Sequence, residues 1–138
     1  RVLGTQIMRN GTLINGRRFG FHVLIGLFLR HIKTVAEAQT GQALTSVTLG
    51  RPVHFQDDAP DADARAEAEL RDIAANLGFE RIGFQYEPIA GALAHERGLS
   101  SDQLALVVDI GGGTSDFSVL RLGPGHAPHP DRAGDILA

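Results

Sequence analysis

The chain has no cysteine, which excludes disulfides, thiolate zinc sites, iron–sulfur clusters and a cysteine nucleophile together and fits a reducing compartment. It has no surplus of positive charge. Lys and Arg number 13 against 16 Asp and Glu, a formal net of −3, so the basic footprint of a nucleic-acid binder is missing. It also has no long apolar run: the longest, Val23 to Leu29, is interrupted at Gly26 and stops at Arg30, short of the roughly 20 residues a spanning helix needs. The catalytic signatures Gly-x-Ser-x-Gly and His-Glu-x-x-His do not occur, which removes support for hydrolase triads and zinc proteases. The histidines are scattered, and His126 with His129 has no obvious third ligand, so they do not make a zinc set.

What is present is an ordinary globular composition. The chain is 138 residues long, 43% hydrophobic and 21% charged, the size of a single domain or a piece of one. It begins at Arg1, carries no signal-peptide pattern and ends in Asp-Ile-Leu-Ala, so it reads as cut from a longer protein.

Hydrophobic spacing and turn residues organise the rest. Asn10-Gly11, between Gln6-Ile7-Met8 and Thr12-Leu13-Ile14, predicts a type I′ hairpin. From Phe21, apolar residues at spacings of three and four predict a helix over 20–39 that Gly41 ends. Ser46 to Leu49 reads as a short buried strand, and Leu49-Gly50-Arg51-Pro52-Val53-His54-Phe55 as its exit loop, with Phe55 plugging core. The acidic run Asp57 to Asp63 lacks the ligand order of a calcium loop and reads instead as a solvated helix start; Ala66, Leu70, Ile73, Ala74 and Leu77 mark that helix's apolar side. A strand over 81–85 leads into a short helix over 89–97, and an apolar strand over 104–110 turns through three glycines into a second strand over 115–122. The order predicts an α/β architecture with helices over a largely parallel sheet, then an antiparallel opening of another. Beyond Leu122 the proline-rich run predicts a loop or disordered tail over 123–138.

The most informative stretch is Leu106-Val107-Val108-Asp109-Ile110-Gly111-Gly112-Gly113-Thr114-Ser115-Asp116-Phe117. Glycines without side chains let backbone N–H groups approach a polyphosphate, Thr114 adds a hydroxyl, and a carboxylate such as Asp109 beside a phosphate site holds Mg²⁺ through water. The same residues also suit a plain hairpin turn flanked by solubilising acids. The pattern is neither a Walker A loop nor Gly-x-Gly-x-x-Gly, because a strand follows it. A second candidate is Glu87, set between a strand end and a helix start, where ligands bind in open α/β sheets. It can orient a water or a hydrated metal, or simply favour the helix dipole.

Three segments in this order resemble the actin-like ATPase superfamily, and within it the heat-shock-70 chaperones: Gly50-Arg51-Pro52-Val53-His54-Phe55, Tyr86-Glu87-Pro88-Ile89-Ala90-Gly91-Ala92, and Val107 to Asp116. The wording Gly-Arg-Pro-Val-His-Phe-Gln and Phe-Gln-Tyr-Glu-Pro is closest to the short, YegD-type branch. The resemblance implies a partial actin-like (ribonuclease H-like) fold, with 1–97 the end of a first lobe and 98–122 the opening β-hairpin of a second. It implies that Gly111, Gly112, Gly113 and Thr114 contact the phosphates of ATP or ADP. Asp109 and Glu87 would serve a hydrated Mg²⁺ and the attacking water, Asp116 would support the loop, and Pro52 with Arg65 would relay nucleotide state between lobes. The first phosphate loop and the adenosine motif of that superfamily are not among these residues. The resemblance therefore implies a cytoplasmic ATPase chaperone with protein clients or co-chaperones as partners, of which this piece alone is inactive. A sugar or acid kinase of the same superfamily and a nucleotide-dependent assembly scaffold are the alternatives.

Overall fold

The computed structural model describes residues 3–5, 7–55, 59–112 and 115–138. In chain order these form α1 (Ile7–Asn10), β1 (Thr12–Ile14), β2 (Arg17–Phe19), α2 (Phe21–Thr40), β3 (Ser46–Arg51), α3 (Pro60–Ala75), β4 (Arg81–Tyr86), α4 (Glu87–Glu96), β5 (Gln103–Ile110) and β6 (Ser115–Leu122), with a 3-10 turn at Ala133–Asp135. They divide into two compact units, Arg1–Leu49 with His54–Phe84, and Gly50–Val53 with Gln85–Ala138.

In the first unit the expected hairpin exists but sits five residues later. β1 pairs antiparallel with β2, and the turn between them is Asn15-Gly16, whose φ values of 49° and 77° are both positive, as a type I′ turn requires. Asn10-Gly11 instead closes α1, so Ile7 and Met8, expected in a strand, are helical, while Gln6 lies outside the described residues. Gly11 has φ 70°, and a Cβ there would run into the Phe19 carbonyl. α2 ends at Gly41 in the left-handed region, with its N–H on the Glu37 carbonyl at 2.9 Å. α3 starts on Pro60 with Asp61 and Asp63 in its first turn, and it buries Ala62, Ala66, Leu70, Ile73 and Ala74. Met8 and Phe55 are buried with them in this unit, and the Phe55 N–H is held by the Asp63 carboxylate. No residue of α2 is buried: Phe28, Ile32 and Val35 of its apolar stripe stay exposed.

The expected largely parallel sheet is not present among the described residues, which form three two-stranded sheets, β1–β2, β3–β4 and β5–β6. A parallel pair requires a crossover connection, and only β3–α3–β4 provides one. The Glu80 and Arg81 N–H groups both donate to the Thr45 carbonyl, at 2.8 and 3.1 Å, which sets the starts of β3 and β4 side by side.

In the second unit β5 and β6 pair antiparallel over their full lengths, from Gln103↔Leu122 to Ile110↔Ser115. Opposed residues share a face, so Ala105, Val107, Leu120 and Leu122 lie on one side. There α4 contributes Ile89 and Ala92 to a core that also holds Tyr86, Leu99 and Ile136. Ile89, Leu120 and Leu122 are fully buried, each stabilising the unit by about 1.5–3 kcal/mol. The boundary expected at 97/98 thus falls inside this unit, because α4 packs on the hairpin. The other face of the hairpin carries Leu104, Leu106, Val108, Ile110 and Phe117, all exposed.

The 123–138 segment, expected as a loop or disordered tail, is a loop with a held course. Turns at Gly123 lead to the 3-10 turn, after which the Leu137 N–H donates to the Val119 carbonyl and the Val119 N–H to the Ala138 carbonyl, both at 2.8 Å. Leu120 and Ile136 form an antiparallel bridge, so the end of the chain lines the β6 edge. The proline content excluded regular helix or strand but did not reveal the side-chain ties described below.

Candidate functional site

The candidate residues of the second unit come from three short places. Glu87 is the first residue of α4: Tyr86 before it is extended (φ −63°, ψ 129°) and Pro88 follows. Proline fits a helix's first turn, where its missing N–H costs nothing, and the positive end of the helix dipole favours the Glu87 carboxylate. The side chain is exposed and runs past Gly50 near the end of β3, where a Cβ would come within 3.5 Å of its Cγ.

Pro52 follows directly on β3. Arg51 holds this exit in shape: its Nε donates to the Pro52 carbonyl at 3.2 Å and its terminal nitrogen to the Val53 carbonyl at 3.3 Å. Its guanidinium lies 4.9 Å from the Tyr86 ring centroid, a cation–π distance. Arg51 is therefore tied into the junction that presents Glu87. Arg65, the other candidate for relay, is exposed on α3 in the first unit.

Asp109 and Asp116 are opposed across the hairpin, both exposed, on the face that carries the core but past its end. Two carboxylates at opposed positions concentrate negative charge beside the glycine turn. Gly111 and Gly112 lie exposed in that turn; Gly113 and Thr114 fall outside the described residues. Gly112 does not adopt a left-handed φ, and among the described residues a Cβ there would meet nothing within 4 Å. The fold visible around it does not require glycine. Nor do any three His, Asp or Glu side chains among the described residues come together as direct metal ligands.

Sequence reasoning missed a second polar cluster at the other end of α4. Glu96 and Arg132 are 4% and 3% exposed and form a two-pronged pair, with Arg132 donating to both Glu96 carboxylate oxygens at 3.0 and 2.9 Å. The Gly123 N–H also donates to Glu96, at 3.0 Å. Arg132 Nε donates to Asp135, whose other oxygen lies 2.6 Å from His126 Nδ1. His126 Nε2 is 3.9 Å from Asp102, and Asp102 in turn accepts the Gly125 N–H at 2.9 Å. The hydrogen bonds from Arg132 hold the Glu96 carboxyl below its ordinary range against the opposing effect of burial. Burial pushes the Asp135 carboxyl up, but bonds from Arg132 and His126 outweigh it and leave it lowered. The Arg132 guanidinium is raised, by Glu96 first and Asp135 second. The only sequence signal was the Arg-x-x-Asp spacing of 132 and 135, and it does not identify Glu96 as the partner.

No helix among the described residues is long and apolar enough to cross a membrane. A family model described as Hsp70 protein matches residues 7–135, nearly the whole chain and all three segments that carried the resemblance. This match accounts for the α/β order that ends in a glycine-tipped hairpin as part of an actin-like ATPase fold, and it places the chain among chaperone-type nucleotide-binding proteins. The chain belongs to the Hsp70 family.

Proposed function

We propose that this chain supplies the phosphate-facing part of an ATP site. Gly111, Gly112, Gly113 and Thr114 contact the phosphates of ATP or ADP, Asp109 and Glu87 act through the water shell of Mg²⁺, and Asp116 supports the loop. The observation that carries this reading is Gly112, a glycine at a hairpin tip with nothing within 4 Å of a built Cβ among the described residues and with a φ outside the left-handed region. Glycine in such a place leaves backbone N–H groups open to close approach by an anion.

The carboxylates agree with the same reading. Asp109 and Asp116 flank the tip on one face and offer hard oxygen atoms, the donor type Mg²⁺ prefers. Bound there, Mg²⁺ neutralises charge on the phosphate oxygens during phosphoryl transfer. Glu87, exposed at the start of α4, orients the attacking water and accepts its proton. Gly50 beside Glu87 and Pro52 two residues on put the strand exit next to the reacting carboxylate, which supports Pro52 as a relay of nucleotide state; Arg65 as its partner rests on the resemblance alone. Hydrolysis would then drive rearrangement of lobes coupled to unfolded protein clients or co-chaperones, in the cytoplasm, where a chain without cysteine is at home.

The test is single-turnover phosphate release by the full-length protein and its Glu87→Ala variant. The expected loss is about 10²–10⁴-fold, the usual contribution of a positioned acid or base, with Mg·ATP affinity little changed. Equal release by the two proteins contradicts the role given to Glu87.

A further inference from the structure

We infer that Glu96 and Arg132 are positioning residues, a buried clamp that fixes α4 on the β5–β6 hairpin and so fixes where Glu87, at the other end of that helix, is held relative to the hairpin. The inference concerns geometry within the second unit. Its bearing on ATP hydrolysis rests on the phosphate reading above.

The argument begins with what α4 has to hold it. The helix has ten residues, its apolar contact with the hairpin is made through Ile89 and Ala92, and Ala92 offers one methyl group. Small apolar contacts are non-directional and tolerate sliding. The C-terminal end of the helix is different. Glu96, its last residue, is joined by two parallel bonds to Arg132, and a two-pronged carboxylate–guanidinium pair fixes orientation as well as distance. The same carboxylate accepts the Gly123 N–H, the first backbone donor after β6. Arg132 is fixed in turn by Asp135 and by the Arg121 carbonyl at 3.4 Å. The end of α4 is thereby bonded to the exit of β6 and to the segment that lines the β6 edge.

Buried ion pairs contribute little net stability compared with apolar residues of the same shape, and their attested value is in specifying one arrangement over others. This pair has that placement. Glu87 and Glu96 are the two ends of one short rigid helix, while Asp109 and Asp116 are on the hairpin whose exit the clamp grips. A rotation or slide of α4 would move Glu87 relative to the hairpin, and the clamp opposes it.

The chain has no cysteine, so in the full-length protein, with any cysteine outside these residues replaced by serine, two can be introduced for spin labels without background. Ala90→Cys on α4 and Leu106→Cys in β5 both occupy exposed positions. Double electron–electron resonance is expected to give a narrow distance distribution for this pair, and Arg132→Met is expected to broaden it and shift its mean, since Glu96 must then leave the interior to find water. If Arg132→Met does not fold, Glu96→Leu combined with Arg132→Leu removes both charges and preserves packing. The inference expects that variant to stay folded and still show the broadened distribution, which a purely stabilising pair would not produce. A distribution as narrow as the parent's in the folded variants overturns the clamp. Phosphate release by the full-length protein with its native Arg132 is a separate arm: no release defeats the phosphate reading, while the distance measurement still decides the clamp.

Discussion

At Arg132 the guanidinium meets an acceptor on every side: two oxygens of Glu96, one of Asp135 and the Arg121 carbonyl. A buried charge is tolerated only when its hydrogen-bonding capacity is met. Glu96→Gln removes the partner charge and is expected to destabilise the protein by about 3–5 kcal/mol, the usual effect of breaking a buried pair, measurable by urea unfolding. The pH dependence follows from the same bonds. Glu96 and Asp135 both have folded-state pKa values below their unfolded ones. Their contribution is therefore present above the unfolded carboxylate pKa, near pH 4, and is lost as pH falls through the folded values. Melting temperature measured from pH 7 downward should hold until the carboxylate range and then fall, and Arg132→Met should flatten that fall. A native profile with no acid-side loss contradicts the assignment.

Elements show which signals in the sequence were legible. The helix over α3 was readable because Ala66, Leu70, Ile73 and Ala74 repeat at helical spacing after a proline and two acids, and these residues are buried. The β5–β6 hairpin was readable because two apolar runs flank three glycines. The first hairpin was misplaced because the chain contains two Asn-Gly pairs six residues or fewer from the same strand. Turn chemistry alone does not distinguish a helix-ending glycine from a hairpin glycine, since both need positive φ. Gly16 has φ 77° with nothing within 4 Å of a built Cβ among the described residues, so Gly16→Ala should cost about 1–2 kcal/mol through backbone strain alone. The reading is checked by amide exchange, which should accelerate in β1 and β2 and not in β5 and β6. The stripe on α2 was also legible as a stripe, but periodicity identifies a face and not its cover, and Phe28 and Ile32 remain exposed. Of the candidate site, Glu87, Asp109 and the glycines were readable because local order carries them. The Glu96–Arg132 pair was not, because it joins residues 36 apart through a loop without periodicity.

On the scale of the whole molecule, the second unit carries a helix start with a carboxylate, a strand exit with a proline and a hairpin tip with glycines, all from segments the Hsp70 family match spans. None of these features is needed to build the core, which rests on Ile89, Ala92, Leu120 and Leu122. The use proposed for them is the approach of a phosphate and its cation. The most direct test is calorimetric titration of Mg·ATP into the full-length protein and its Gly112→Val variant. Valine at 112 fits the described surroundings, so folding should be unchanged. The account predicts that native protein binds and the variant loses binding, because the added side chain occupies the space of the phosphates. Equal affinity in the two proteins would contradict it.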